Sequence, residues 1–346
     1  MARRILDDFG LTALVGLELE FYLLGGTPET VVRQAQAQLA AQLPLPPRLQ
    51  PESGRGQYEL VLPHRTELAD LLSDCRYALE VLEARSRANG TAVSRLSKPF
   101  ADRPGSGLHV NVCLLDETGR NVFQKAPCDD NRESPTTAHA VNGLLETMVG
   151  LMVFFAPTEN CYERYRPDNP ESRLFSPSNV SWGGDNRSVA IRIPASTSHA
   201  SARRLEHRVS GASACPESVL AAVLLGIHHG LRVGRPPRLP KLYGIAAHRS
   251  DELPAFPRSL AEARAFHRAD DVVRRYAECA SSAGCKRYAG GVAIRPQSAT
   301  TPSRSSPVPR VRSRVNPSAP SAACAASAVR LAMARVGSGN GRRRSW

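Results

Sequence analysis

Five separated patches of the chain carry the residue types of a cation-and-phosphate site. They are Glu18-Leu19-Glu20, the stretch from Glu52 to Glu59 (ESGRGQYE), Gly105 to Asn111 (GSGLHVN), Asn186 to Pro194 (NRSVAIRIP) and Arg203 to Arg208 (RRLEHR). Together they supply five carboxylates, the candidate ligand His109 and a set of arginines. Glu18 and Glu20 stand two apart, so on a strand both carboxylates leave the same face. Two such groups repel and resist ionisation unless a cation lies between them. Hard oxygen ligands suit Mg²⁺ or Mn²⁺. Glu52 and Glu59 bracket the turn Ser53-Gly54-Arg55-Gly56, which can return two distant carboxylates to one point. His109 follows the small residues Gly105-Ser106-Gly107, which allow close backbone approach, and a neutral imidazole is a metal ligand. Arg164, Arg187, Arg192, Arg204 and Arg208 supply guanidinium groups, which grip carboxylate and phosphate and stay charged. Each patch has a plain alternative: a solvated strand face, a hairpin with surface acids, a structural histidine, solubilising arginines. Their number and order carry the reading.

Positioning these groups requires particular elements. Residues 12–24 alternate apolar and polar positions, a strand with Glu18 and Glu20 on the face opposite Leu17, Leu19 and Phe21. Further strand patterns fall at 57–62, 108–115, 188–194 and 204–209. On the last of these, Glu206 points to the same side as Arg204 and Arg208. Helices are expected at 29–42, at 66–88 with Thr66 as N-cap, at 136–155 and at 217–232. The mixture predicts an α+β fold, a sheet with flanking helices.

The composition narrows the function further. The chain has 346 residues and a formal charge of +13. No acid follows Glu278, and residues 279–346 hold eleven Arg and one Lys, which leaves +1 for residues 1–278. The basicity therefore belongs to the tail. That tail is rich in Ser, Ala, Pro, Arg and Gly, and is expected to be disordered. It could attract phosphates non-specifically, but it lacks interleaved aromatics, so nucleic acid is not the expected partner. No apolar run is long enough to cross a membrane, and the eight cysteines show no zinc spacing. A soluble, cytoplasmic protein with free thiols is expected. Neither a P-loop nor a GxGxxG motif occurs.

The order of the motifs GLELEFYLL (16–24), ESGRGQYEL (52–60), SKPFADRPGSGLHVNV (97–112), NCYERYRP (160–167) and SWGGDNRSVAIRIP (181–194) resembles the glutamine synthetase superfamily. The resemblance is strongest to its γ-glutamyl-amine and γ-glutamylpolyamine ligase branch. It implies a catalytic domain over residues 1–277, built on a mainly antiparallel, curved sheet, followed by a low-complexity tail over 278–346. It implies two cations: one held by Glu18, His109 and Glu206, the other by Glu20, Glu52 and Glu59. Gly105, Arg164 and Arg208 would bind glutamate. Arg187 and Arg192 would bind phosphates, Arg187 with a catalytic role, and Arg204 would contact the nucleotide with Cys113 nearby. Asp168 and Glu171 are both candidates for the general base. The implied reaction joins glutamate to ammonia or an amine at the expense of ATP, with a homo-oligomer as the working form. Departures are specific: Asn111 stands where the family usually has a second histidine, Cys113 where it has a serine, and Pro104 where the ammonia-using branch has Asn or Asp. Only about a dozen residues precede the Glu18 strand, where the family carries a β-grasp domain, and the likeness fades near 268–276. The competing expectation is a catalytically inactive remnant with a diverged or frame-disrupted ending.

Overall fold

The computed structural model describes residues 1–124, 133–166, 174–195 and 200–281, which belong to one unit, Met1–Ser281. Residues 282–346 of the tail expected over 278–346, and the candidate bases Asp168 and Glu171, lie outside the described residues. Among the described residues the fold is α+β, as its sequence pattern predicts.

The centre is strand β1 (Thr12–Leu24). Its odd residues Ala13, Val15, Leu17, Leu19, Phe21 and Leu23 are buried in the apolar core. Its even residues Gly16, Glu18, Glu20 and Tyr22 form the other face. This two-residue period is the pattern of a strand with one core face. Strands β2 (Arg48–Pro51), β3 (Gln57–Arg65), β4 (Ala92–Ser94), β5 (Leu108–Leu115), β6 (Trp182–Gly183), β7 (Ile191–Arg192), β8 (Leu205–His207) and β9 (Lys241–Leu242) complete one sheet. Its order is β2-β3-β1-β5-β8-β7-β6-β9, with β4 also paired to β1. Pairing is antiparallel from β2 through β7, and parallel only where β6 meets β7 and β9. The strands predicted at 188–194 and 204–209 are shorter than expected, because both run into loops at their ends.

Helices cover the core face. In α1 (Ala2–Phe9), Ile5 is buried, and the helix packs on β1. α2 (Pro28–Gln42) packs on α3 (Leu68–Ala88), which buries Leu71, Cys75, Ala78 and Leu82 at helical spacing. Thr66 does not cap α3: Glu67 takes the cap position and no side chain bonds there. α4 (Pro135–Thr147) starts correctly for its sequence, with Pro135 in the first turn and the Ser134 hydroxyl accepting the Thr137 N–H. It does not run on to 155. The chain tightens into hydrogen-bonded turns at Met148–Leu151 before a short α5 (Met152–Phe155), and the Gly150 carbonyl accepts from His267 Nδ1 at 2.7 Å instead of continuing the helix. α6 (Glu159–Glu163), α7 (Pro216–Val233), α8 (Leu260–Ala269) and α9 (Asp271–Ser281) follow. α4 packs along α7.

Candidate metal and phosphate site

Cross-strand register assembles the site. Glu20 lies directly opposite Glu59 on β3, and Glu18 directly opposite His109 on β5. Asn111 faces Glu206 on β8, and Glu206 faces Arg192 on β7. Opposed residues on one sheet face have neighbouring Cβ atoms, so five local motifs become one row across four strand pairings. Two groups of three ligand atoms result, Glu18–His109–Glu206 and Glu20–Glu59–His109, each with its atoms within 4.8 Å of one another.

The row is expensive to bury without a counter-charge. Burial raises the Glu20 carboxyl to about 7, against the opposing pull of Arg164. Burial, then the charges of Glu18 and Glu20, raises Glu59 to about 8. Burial also drives His109 well below its ordinary value, helped by Arg208, so the imidazole is neutral. Its Nδ1 lies 3.6 Å from both Glu18 Oε2 and Glu206 Oε1, and its Nε2 lies 3.9 Å from Glu20 Oε1. These separations are too long for hydrogen bonds, and Nε2 has no partner although it is buried. A neutral imidazole has one free lone pair, so His109 can serve one group of carboxylates at a time. An orphaned ring nitrogen among carboxylates that resist ionisation is the donor set a divalent cation fits.

The other candidates fall around this row. Burial opposes ionisation of Glu206, but the charges of Arg208 and Arg192 override it and hold the carboxyl below its ordinary value. Arg192 Nη1 donates to Glu206 Oε2 at 2.6 Å and its Nε to Asp185 at 3.0 Å. Arg208 donates to Glu206, and also to the carbonyls of Phe175 and Arg187 at 2.9 and 3.1 Å. Arg164 is fully buried, with its Nη1 donating to Val209 O at 2.9 Å while Nε has no partner. Gly107 N–H donates to Glu20 Oε2 at 2.6 Å, and the Gly105 carbonyl accepts from Gln57 at 3.0 Å. A Cβ on Gly107 would lie 2.6 Å from Arg164 and 2.7 Å from His109 Nε2, so only glycine lets the backbone pass between them. Arg187 is exposed. Glu52 stands outside both tight groups: it accepts from the Ser53 N–H at 2.7 Å, and only its charge reaches Glu20 and Glu59. Cys113 is a buried free thiol on β5, raised to about 11 by burial.

Beside Glu18 opens a cleft of about 470 Å³, lined among others by Gly16, Glu18, Arg48, His64, Asn111 and Arg204. Sequence reasoning found Arg204 but missed Arg48 and His64. The pairing of β1 with β3 slips between Val15 and Leu17, and this irregularity spans Pro63 and His64. The His64 ring then lies against Gly16, where a Cβ would approach it to 2.9 Å. The glycine inside an otherwise regular strand was the available signal.

Comparison with known proteins agrees with this geometry. Residues 45–280 match the family described as glutamine synthetase, catalytic domain. Glu18 and Glu20 precede that span and are joined to it by the sheet register. The chain is 30% identical over 254 residues to γ-glutamylputrescine synthetase PuuA of Escherichia coli K12, covering 64% of this chain and 52% of that protein. It is 28% identical over 250 residues to a glutamine synthetase of Pyrococcus abyssi, covering 66% and 54%. The chain thus spans about half the length of these curated relatives. A solved GmaS/ADP complex aligns with a TM-score of 0.66 at 22% identity, over 79% of this chain and 67% of that one. GmaS without ligand aligns with a TM-score of 0.65 at 22% identity, over 83% and 74%. These two likenesses concern the fold.

Proposed function

The chain belongs to the glutamine synthetase catalytic-domain family, and from that premise we propose that it joins the γ-carboxyl of glutamate to an amine or ammonia, using ATP. The observation that carries the reading is the neutral His109, its buried Nε2 without a partner, ringed by Glu18, Glu20, Glu59 and Glu206 beside a set of guanidiniums. Glu18, His109 and Glu206 would hold one cation, Mg²⁺ or Mn²⁺, and Glu20 and Glu59 a second, with Glu52 closing in on it. Such cations neutralise phosphate and carboxylate charge and polarise the phosphoryl group.

The chain's own residues supply position and charge rather than a nucleophile. Arg204, in the cleft, contacts the nucleotide, near Cys113. Arg187 and Arg192 steady the phosphates. Arg164, Arg208 and Gly105 set the glutamate. An oxygen of the γ-carboxylate bonds to the terminal phosphorus of ATP as the bond to the β-phosphate oxygen breaks, releasing ADP. The amine nitrogen then bonds to the γ-carbon, phosphate leaves with the carboxylate oxygen, and a base takes the amine proton. Asp168 and Glu171 are the candidates for that base. The likeness to a γ-glutamylputrescine synthetase supports testing diamines among the acceptors. Self-association is part of the proposal, and light scattering of the purified chain tests it.

The test is ADP release with Mg²⁺ or Mn²⁺, ATP and glutamate, over ammonia, methylamine, ethanolamine and putrescine. Acceptor-dependent release, abolished in Glu206→Ala and Glu18→Ala, is expected. A folded chain that binds Mn²⁺ yet releases no ADP with any acceptor would overturn the ligase reading.

A further inference from the structure

Asn111 stands between the cation row and the cleft. It is buried on β5, opposite Gly16 on one side and Glu206 on the other. Its Nδ2 donates to Glu18 Oε1 at 3.0 Å, and its Oδ1 accepts from Arg204 Nε at 2.8 Å. The partners fix the orientation of the amide. A carboxylate only accepts and a guanidinium only donates, so the reversed amide would set oxygen against oxygen and N–H against N–H.

We propose that Asn111 is a positioning residue, which orients Glu18 as a cation ligand and ties that orientation to Arg204 in the cleft. With Oε1 held by the amide, the other oxygen, Oε2, is the one turned toward His109 Nδ1. Glu18 is the group that needs holding, because its side chain is 24% exposed while those of His109 and Glu206 are 3% and 2% exposed. Without the amide, its carboxylate is free to turn to water. An amide also suits the place by charge. An aspartate here would face Glu18 with a second anion, and an apolar residue would leave both Glu18 and Arg204 unheld. Because Arg204 lines the cleft, an anion that draws its guanidinium away acts on Glu18 through the same two bonds. Cation site and cleft are therefore coupled by one side chain.

This rests on the reading of Glu18, His109 and Glu206 as a cation site, and the experiment separates the two. Mn²⁺ binding is measured by electron paramagnetic resonance of the free ion, without nucleotide or glutamate, alongside thermal melting. Asn111→Leu should weaken Mn²⁺ binding about 10- to 100-fold, the range for loss of a group that orients a ligand. Arg204→Ala makes the sharper arm. Removing a positive charge should by Coulomb's law tighten cation binding, whereas losing the hold on Asn111 should weaken it. We expect weakening in the wild-type background and none in the Asn111→Leu background, the signature of a coupled pair. If Asn111→Leu does not fold, Asn111→Ala, which leaves room, replaces it. Mn²⁺ affinity within about twofold of wild type in the folded variant overturns the role of Asn111. So does an Arg204→Ala change that tightens Mn²⁺ equally in both backgrounds. A wild-type chain that binds no Mn²⁺ overturns the cation site and the role of Asn111 together.

Discussion

The seam between α4 and α7 and the polar row on the sheet are both buried, and they are built on opposite terms. At the seam two helices approach until backbones touch. A Cβ on Gly143 would lie 2.1 Å from Gly226 O and 2.3 Å from Gly230 N, and one on Gly230 would lie 2.0 Å from His139 O. Val141, Leu144, Val223, Leu224 and Ile227 fill the flanks. Contacts there are short-range and present whether or not any ligand is bound. The row across β3, β1, β5 and β8 instead gathers Glu59, Glu20, Glu18, His109 and Glu206, and leaves a buried ring nitrogen without a partner. Close packing stabilises the fold, while the row gathers carboxylates that burial makes costly to ionise. The difference separates the part of the molecule that holds its shape from the part proposed above to hold cations.

Breaking the seam should have the largest effect. Gly143→Val forces a branched side chain into backbone atoms of α7, and should cost about 3 kcal/mol or more. Urea unfolding, or the loss of soluble protein, reads this directly. A variant with wild-type stability would mean that the helices part easily.

The row should answer to pH where the seam does not. Glu20 and Glu59 are raised to about 7 and about 8, mainly by burial. The folded chain therefore binds protons that the unfolded chain has released, so stability is fully present below about pH 4.5 and is lost as pH rises to about 8. In the presence of a chelator the melting temperature should fall across that window. Saturating Mn²⁺ should flatten the fall, because the ion takes the place of the protons. A flat profile without metal would show that the row carries no such cost.

A smaller effect should sharpen the contrast. Glu59→Gln removes one of two opposed carboxylates. At pH 8.5, without metal, it should raise stability by about 2 kcal/mol, and it should lower the number of Mn²⁺ ions bound. Loss of both stability and Mn²⁺ would mean that Glu59 serves the fold as well as the site. Smallest of all, Gly234→Ala at the end of α7 meets no neighbouring atom but must adopt φ +63°. It should cost about 1 kcal/mol in chemical denaturation and leave Mn²⁺ binding unchanged.

Much of this arrangement is legible along the chain, and the rest depends on how strands register. The alternation through residues 12–24 is enough to place Glu18 and Glu20 on one face, opposite Leu17, Leu19 and Phe21. No local pattern says that Glu20 will oppose Glu59, or that Asn111 will oppose Glu206, since register is set by the assembled sheet. His64 reaches the cleft only because the pairing slips beside Gly16. The break after α4 is likewise tertiary: at Gly150 a Cβ would lie 2.0 Å from the Asp270 carboxylate, and the carbonyl there serves His267. Glu52 shows the reverse case. Its motif suggests a ligand, yet its backbone position after β2 leaves it outside the tight groups.

The measurement that tests the central claim most directly follows oxygen atoms. Glutamate labelled with ¹⁸O in its γ-carboxyl group is incubated with the chain, ATP, Mg²⁺ or Mn²⁺ and the best acceptor amine. Attack of the γ-carboxylate on the terminal phosphoryl group predicts one ¹⁸O in each released phosphate, and no transfer in Glu206→Gln. Phosphate released without label, at a rate that ignores the amine, would contradict the account and leave the row a cation site with some other use.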